Sequence, residues 1–125
     1  MREAVYRYEI AIGEKVSVQV KDFISKYIRS VWQLELLILL SSARKPMSPT
    51  QIARELYMSR ESIEKALTQF ANEGLLKDTA DGYIYSPDDD RLVDALNMTS
   101  KAYLERRSSV INLIFAGPSR QGYNA

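Results

Sequence analysis

Two helix-start signals, eleven residues apart, constrain the middle of this chain more than any other feature. In Ser48-Pro49-Thr50-Gln51 the serine hydroxyl can accept from the backbone amide of the glutamine, whose side chain can reach back, and proline suits the first helical position. Ser59 repeats the signal, with Glu61 in the first turn facing the positive end of the helix dipole. The spacing predicts a short helix, a tight turn and a second helix.

The apolar residues of both segments recur at the spacing of one helix face. In the first segment they are Ile52, Ala53 and Leu56, and in the second Ile63, Ala66, Leu67 and Phe70. Gly74 then stands where a left-handed residue commonly ends a helix. The second helix is therefore predicted to expose Arg60, Glu61, Glu64, Lys65, Thr68 and Gln69.

The residues after Gly74 predict a β-hairpin followed by a long helix. Asp81-Gly82 is a strong turn signal, and it precedes an alternating run at 83–85. Ser86-Pro87, followed by three aspartates, repeats the helix-start signal. The helix has Leu92, Val93, Leu96, Thr99 and Tyr103 on its apolar side. The final apolar run, 110–115, fits either a prolonged helix or a strand and stops at Gly117-Pro118.

Upstream of Ser48 the pattern predicts helix. Apolar residues recur at steps of three and four from Val16 onward, and this amphipathic helix runs into 31–40, which is apolar almost all the way round and is predicted to be the core helix. Pro46 ends it, because proline lacks the donor that a helix needs. Tyr6, Tyr8 and Ile10 alternate with polar residues, so residues 1–16 fit either an edge strand or an ordered arm.

Composition excludes several classes of function. The chain has 125 residues, of which 46% are apolar, and neither cysteine nor histidine, which excludes disulfides, thiolate nucleophiles and the usual zinc sites. The net charge of +1 provides no overall field that would attract nucleic acid. Residues 34–40 are far shorter than the ~20 residues of a membrane span, and the N-terminus lacks a secretory signal. We expect a cytoplasmic protein with no membrane partner.

Catalysis and metal binding are not indicated. The sequence contains no glycine-rich phosphate loop and no nucleophile with a base at a telling spacing, so we expect no catalytic residues, no cofactor and no enzyme activity. Asp88-Asp89-Asp90 lacks the interleaved glycine pattern of a calcium loop, and its carboxylates are better explained by the dipole of the following helix. No metal site is expected.

The order helix, helix, turn, helix, hairpin, helix resembles a winged helix-turn-helix domain. Residues 48–76, ending in Phe70-Ala71-Asn72-Glu73-Gly74-Leu75-Leu76, are similar to the helix-turn-helix of bacterial regulators of the MarR and ArsR type. The flanks at 31–37 and 110–115 resemble a group of uncharacterised bacterial winged-helix proteins. One departure is Tyr57, which stands where such turns prefer glycine or a small residue.

The resemblance implies a mainly α fold with a small β-hairpin wing, in which N- and C-terminal helices flank the helix-turn-helix. The implied organisation is an N-terminal arm or strand over residues 1–16, the winged-helix domain with its terminal helices over 17–118, and a flexible tail over 119–125.

The resemblance also implies a DNA-binding transcriptional regulator whose second helix enters the major groove of double-stranded DNA. The implied DNA-binding residues are Arg60, Lys65, Thr68 and Gln69 on the helix, and Lys77 on the wing. Glu61 and Glu64 oppose this function, because phosphates repel carboxylates. Across residues 44–85, moreover, six basic residues are matched by six acidic ones. The DNA-binding hypothesis therefore depends on the fold more than on charge.

A different class of function fits the same sequence, namely a protein-interaction module that regulates a partner transcription or signalling protein without binding DNA. The candidate dimer or partner interface comprises Tyr103, Val110, Ile111, Ile114 and Phe115, although each of these residues equally fits the core. Long terminal helices with apolar seams commonly pair about a two-fold axis, so a homodimer is expected.

Overall fold

The computed structural model describes residues 16–124, with side chains described for residues 16–117. The elements in chain order are α1 (Val18–Tyr27), α2 (Val31–Ala43), α3 (Pro49–Leu56), α4 (Arg60–Asn72), β1 (Leu76–Thr79), β2 (Gly82–Tyr85), α5 (Asp90–Glu105) and α6 (Arg107–Asn124). This part of the chain is mainly helical with a small antiparallel hairpin, as predicted. The strand or arm predicted for the N-terminus lies, up to residue 15, outside the described residues.

The chain divides into two compact units. Among the described residues, the central unit is Ser30–Asp94, and the terminal unit combines residues 16–29 with those from Ala95 onward. One boundary thus precedes α2 and the other falls inside α5. The boundaries predicted near residues 17 and 118 remain predictions.

The core of the central unit forms around α2. Its buried leucines are Leu34, Leu36, Leu37 and Leu40, and Trp32 beside them is half-buried. α2 contacts α3 and β2, while α4 contacts α3 and β1. The apolar faces predicted for α3 and α4 are confirmed at Ile52, Ala53, Ile63, Ala66, Leu67 and Phe70, which are all buried, whereas Leu56 at the end of α3 is only half-buried.

Two of the three predicted serine caps are confirmed. The Ser48 hydroxyl accepts from the Gln51 amide at 3.1 Å, and the Gln51 side-chain oxygen accepts from the Ser48 amide at 3.0 Å, with Pro49 at the first helical position. The Ser59 hydroxyl accepts from the Ser62 amide at 3.1 Å. These local bonds fix where α3 and α4 begin.

The third predicted helix start, at Ser86, is wrong. Helix α5 begins at Asp90, and the Asp89 carboxylate accepts from the Arg91 amide at 2.7 Å. The Ser86 amide donates instead to the Leu75 carbonyl at 3.0 Å. Residue 86 is therefore used to extend the pairing of the hairpin, and the helix starts later.

The hairpin prediction is confirmed, with Ala80 and Asp81 as its two-residue loop. Leu76 pairs with Tyr85 at one end and Thr79 with Gly82 at the other. An isolated bridge joins the hairpin to the segment before α3, since the amides of Met47 and Tyr83 donate to each other's carbonyls at 2.9 and 2.8 Å. The short hairpin is thereby attached to the start of the helix pair.

The terminal unit contains α1, part of α5 and α6, and α1 contacts α6. Its buried side chains include Val20, Phe23, Ile24, Tyr27, Leu96, Thr99, Ala102, Tyr103, Val110 and Ile114. The prediction of a helix that continues from residue 16 to 40 is wrong, because Ile28 and Ser30 have extended backbones that separate α1 from α2. Each of the two helices buries an apolar face, so the apolar spacing continues across the break. The spacing alone therefore does not reveal the break.

Of the two structures left open for residues 110–115, the helix is correct. Arg106 is non-helical and separates α5 from α6. Gly117 has non-helical dihedral angles inside α6 (φ 73°, ψ 157°). The flexible tail predicted for 119–125 is untested, because side chains beyond 117 are not described. None of the helices within residues 16–124 has both the length and the apolar content that crossing a membrane requires.

Candidate nucleic-acid interface

Helix α4 buries one face and exposes the other. Because Ile63, Ala66, Leu67 and Phe70 point into the core, the opposite face carries Arg60, Glu61, Glu64, Lys65 and Thr68, all of which are exposed. Gln69 is half-buried. The structure thus brings the four predicted α4 residues onto one helix, with Gln69 the least accessible.

Both basic residues on this face are paired with acidic residues one helical turn away. Arg60 Nε lies 2.9 Å from Glu64 Oε2, and Lys65 Nζ lies 3.8 Å from Glu61 Oε2. Exposed ion pairs at this spacing stabilise a helix by only about 0.5 kcal/mol, so they open readily. The carboxylates nevertheless remain on the surface, and the ionised side chains of the face sum to no net charge.

Gln69 is also engaged by a carboxylate. Its side-chain amide donates to Glu73 Oε2 at 3.3 Å, while Glu73 Oε1 is buried without a hydrogen-bond partner in the described part of the chain. Recognition of an adenine edge needs both the donor and the acceptor of a glutamine amide. Gln69 would therefore have to release Glu73 before it could bind a base in this way.

The hairpin presents one basic residue among acidic ones. Lys77 and Asp78 are neighbours on β1, Asp81 lies in the loop, and all three are exposed. The Thr79 hydroxyl donates to the Gly82 carbonyl at 2.7 Å and accepts from the Asp81 amide at 3.2 Å, which fixes the loop. Lys77 is where the sequence predicts it, but Asp78 and Asp81 outweigh its charge.

Tyr85 lies at the other end of the hairpin and has an unusual environment. Its side chain is half-buried, and its hydroxyl is buried without a hydrogen-bond partner among the described residues. Burial raises the pKa of this tyrosine, because the charged phenolate is disfavoured away from water. Tyr85 therefore contributes a neutral ring to the base of the hairpin.

The turn between α3 and α4 has a feature that the sequence identified only as a departure from the family pattern. Tyr57 adopts the left-handed conformation (φ 56°, ψ 43°), and its side chain is 95% exposed. The Met58 amide donates to the Ala53 carbonyl at 3.0 Å, which holds the turn against the end of α3. In the sequence, the only indication of this unusual turn is a large aromatic residue at a position that prefers glycine.

The residues predicted for a dimer or partner interface differ in their exposure. Tyr103, Val110 and Ile114 are buried in this chain, Ile111 is half-buried, and Phe115 is 74% exposed. The three buried side chains belong to the core of this chain, which was the alternative interpretation. Sequence reasoning missed Leu104, which is 82% exposed beside Tyr103.

A cleft of about 330 Å³ opens within the terminal unit. Val20, Met98 and Ala102 form its apolar lining, with Lys101, Glu105 and Arg106 around them. Arg106 Nη1 donates to Glu105 Oε1 at 3.1 Å, so the guanidinium is already paired with a carboxylate. Within residues 16–124, no group of three or more acidic side chains is placed to hold a metal ion.

Comparisons with family models, with curated proteins and with solved structures give no match to this chain. A functional interpretation therefore depends on the geometry of α3, α4 and the hairpin, and on the charges that these elements expose.

Proposed function

We propose that the central unit is a winged helix-turn-helix domain that binds double-stranded DNA through the exposed face of α4 and acts in transcriptional regulation. The observation that carries the proposal is the arrangement of α4, which packs on α3 and on the hairpin while its opposite face is solvated. The isolated Met47–Tyr83 bridge joins the hairpin to the segment before α3, as expected for a wing. The resemblance over residues 48–76 supports the same proposal.

In this mechanism α4 enters the major groove with Arg60 in its first turn. A guanidinium can donate two hydrogen bonds to a guanine edge, whereas Lys65 and Lys77 are suited to phosphates. Arg60 must first leave Glu64, whose carboxylate then needs the amino group of a cytosine as its donor. The bound state therefore exchanges an intrahelical ion pair for contacts to bases.

Because acidic side chains pair with the basic ones on α4, we expect the affinity for DNA to depend only weakly on salt concentration. If Arg60, Lys65 and Lys77 each neutralised one phosphate, the logarithm of affinity would fall with the logarithm of salt concentration with a slope of about −3 per protomer. Repulsion from Glu61 and Glu64 makes the slope shallower than that. This dependence is small compared with that of regulators with strongly basic surfaces.

Fluorescence anisotropy with labelled genomic fragments, at low and moderate salt, tests the proposal. Arg60→Ala and Lys65→Ala should weaken binding, the former with a loss of sequence preference, and Glu64→Gln should strengthen nonspecific binding by removing repulsion. Glu55→Gln is the matched control, because it removes one exposed acid from α3 and changes the net charge equally.

The proposal predicts a larger effect for Glu64→Gln than for Glu55→Gln. Equal effects would mean that only the overall charge matters. Unchanged affinity in Arg60→Ala, Lys65→Ala and Glu64→Gln together would mean that α4 does not contact DNA.

A second candidate is a protein-interaction module that regulates a partner transcription or signalling protein. It is favoured by the ion pairs that occupy Arg60 and Lys65, and by the large apolar side chains exposed at Tyr57, Leu104 and Phe115. Exposed aromatic residues are common anchors in protein interfaces. An absence of DNA binding even at low salt supports this function, whereas sequence-preferring binding supports the first.

A further inference from the structure

The cleft of the terminal unit, called here the α1–α5 cleft, combines an apolar lining with basic side chains. Its volume of about 330 Å³ is at the lower end of the range for small-molecule sites. Val20 and Ala102 are buried in its lining, while Met98 is 36% exposed, so apolar surface remains accessible there. The cleft therefore has the size and the lining for a small ligand with an apolar part.

The charges that line the α1–α5 cleft are not balanced. Lys101 and Arg106 provide two positive charges against the single carboxylate of Glu105. That carboxylate, which is half exposed, accepts from Arg106 Nη1 at 3.1 Å. Arg106 Nε, by contrast, is buried and has no hydrogen-bond partner among the described residues. Because a buried donor without a partner is costly, Glu105 alone does not satisfy this guanidinium.

The surroundings of the cleft also favour a negative charge. Residues 16–29 and 95–117, the parts of the terminal unit whose side chains are described, contain six basic residues and two acidic ones, Asp22 and Glu105. Ser17 and Val20 bring the first turn of α1 to the cleft, and this turn contains no acidic residue to neutralise the positive end of the helix dipole. An anion in the cleft would meet one carboxylate and several positive groups.

We propose that the α1–α5 cleft binds a small monocarboxylate that has a short apolar chain. The carboxylate pairs with the Lys101 ammonium and the Arg106 guanidinium, a group whose planar donors suit carboxylate oxygens. The apolar chain lies on Val20, Met98 and Ala102. One carboxylate matches the single excess positive charge of the lining. The site lies within the terminal unit and does not rest on the DNA binding proposed for the central unit.

Titration of the full ¹⁵N-labelled chain with octanoate, followed by amide NMR spectra, tests the proposal. We expect saturable shifts at the amides of Val20 and Ala102, with a dissociation constant of about 1 mM or below, as a ligand of this size can reach. Octan-1-ol lacks the charge and acetate lacks the chain. Each should bind at least about tenfold more weakly than octanoate, because each loses one of the two interactions.

Two variants at exposed positions test the role of charge without disturbing the partly buried Arg106. Lys101→Gln should weaken octanoate binding about fivefold by removing one ionic contact. Glu105→Gln should strengthen binding about fivefold, because it removes the carboxylate that competes for Arg106. Lys26→Gln is the matched control, since it removes an exposed positive charge from α1 at a position that does not line the cleft. It should leave the affinity unchanged.

Circular dichroism melts verify that each variant is folded. Saturable octanoate binding, with a loss in Lys101→Gln that Lys26→Gln does not share, supports the site. Shifts that do not saturate, or that omit the residues of the cleft, overturn it. Equal affinities for octanoate and octan-1-ol, or equal losses in Lys101→Gln and Lys26→Gln, overturn the pairing of a carboxylate with these side chains.

Discussion

Gly82 begins β2 at a point where the backbone of another segment passes very close. Its φ is +128°, and a Cβ built on it would collide with the Met47 carbonyl, which accepts from the Tyr83 amide. The bridge between Met47 and Tyr83 therefore depends on the absence of a side chain at residue 82. The sequence predicted a turn at Asp81-Gly82. It did not predict the close approach of Gly82 to Met47, because Met47 is distant along the chain.

Gly82→Ala should lower the free energy of unfolding by about 2 to 4 kcal/mol, because it adds both backbone strain and a collision. Urea denaturation followed by circular dichroism measures the change. Gly117→Ala is the control, since Gly117 also has a positive φ, yet no described atom lies within 4 Å of the added methyl. It should cost about 1 to 3 kcal/mol, the strain alone, because a φ of 73° with a ψ of 157° is almost confined to glycine. Equal losses in the two variants would refute the close approach to Met47.

The buried hydroxyl of Tyr85 leads to the opposite prediction. Removing a buried polar group that has no partner relieves its desolvation cost, so Tyr85→Phe should leave the free energy of unfolding unchanged or raise it by about 1 kcal/mol. Thermal denaturation of the wild-type and variant proteins provides the comparison. A clear loss of stability would show that the hydroxyl has a hydrogen-bond partner, such as a bound water.

Among the helices, the starts of α3 and α4 were predictable because a cap involves only neighbouring residues. Ser48 and Gln51 satisfy each other's backbone donors whatever the remainder of the chain does. The start of α5 was not predictable from the same signal. The Asp88 amide donates to the Gly74 carbonyl at 2.9 Å, so contacts with a distant residue decide where the helix begins.

The Asp89 cap should make the stability of α5 dependent on pH. Chiefly because the Arg91 amide donates to it, with help from the Arg91 guanidinium, the pKa of Asp89 in the folded chain is below its ordinary value. The stabilisation by the ionised carboxylate is thus fully present above a pH of about 3.9, the ordinary pKa of aspartate. It is lost as the pH falls through the lower folded pKa.

Thermal melts of the wild type and of Asp89→Asn between neutral and acidic pH measure this effect. Asparagine can still cap the helix, so the variant should lose less stability than the wild type on acidification. Asp90→Asn controls for the loss of one negative charge at the same helix end. Identical pH dependence in the wild type and Asp89→Asn would contradict the assignment of the cap.

The candidate DNA-binding site could be predicted from the sequence only in part. The period of α4 correctly predicted that Arg60, Lys65 and Thr68 are exposed, because the burial of one face determines the other, whereas Gln69, also predicted to be exposed, is half-buried. The left-handed backbone of Tyr57 could not be predicted from the sequence, because it depends on the path of the chain after α3. In the terminal helices the same apolar side chains suit a core and an interface alike, so sequence alone could not assign Val110 to the core.

For the molecule as a whole, the expected homodimer remains a prediction, and the structure changes which residues would form it. Leu104 and Phe115 are exposed, whereas three of the five predicted interface side chains are buried in the protomer. Light scattering at high micromolar concentration should give the mass of a dimer. Leu104→Asp and Phe115→Asp should shift it toward the monomer, because a charge opposes burial in an apolar interface.

Tyr57→Asn is the control for that experiment, because it removes an exposed apolar side chain from the central unit instead of the terminal unit. It should leave the measured mass unchanged. A wild-type chain that scatters as a monomer at high concentration would exclude the homodimer.

Trp32 is the single tryptophan of the chain, and it lies half-buried in α2. Because α2 belongs to the central unit, intrinsic indole emission monitors that unit selectively and without any label. Far-ultraviolet dichroism sums over every helix, so the two signals recorded side by side distinguish melting of the DNA-binding candidate from melting of the terminal helices.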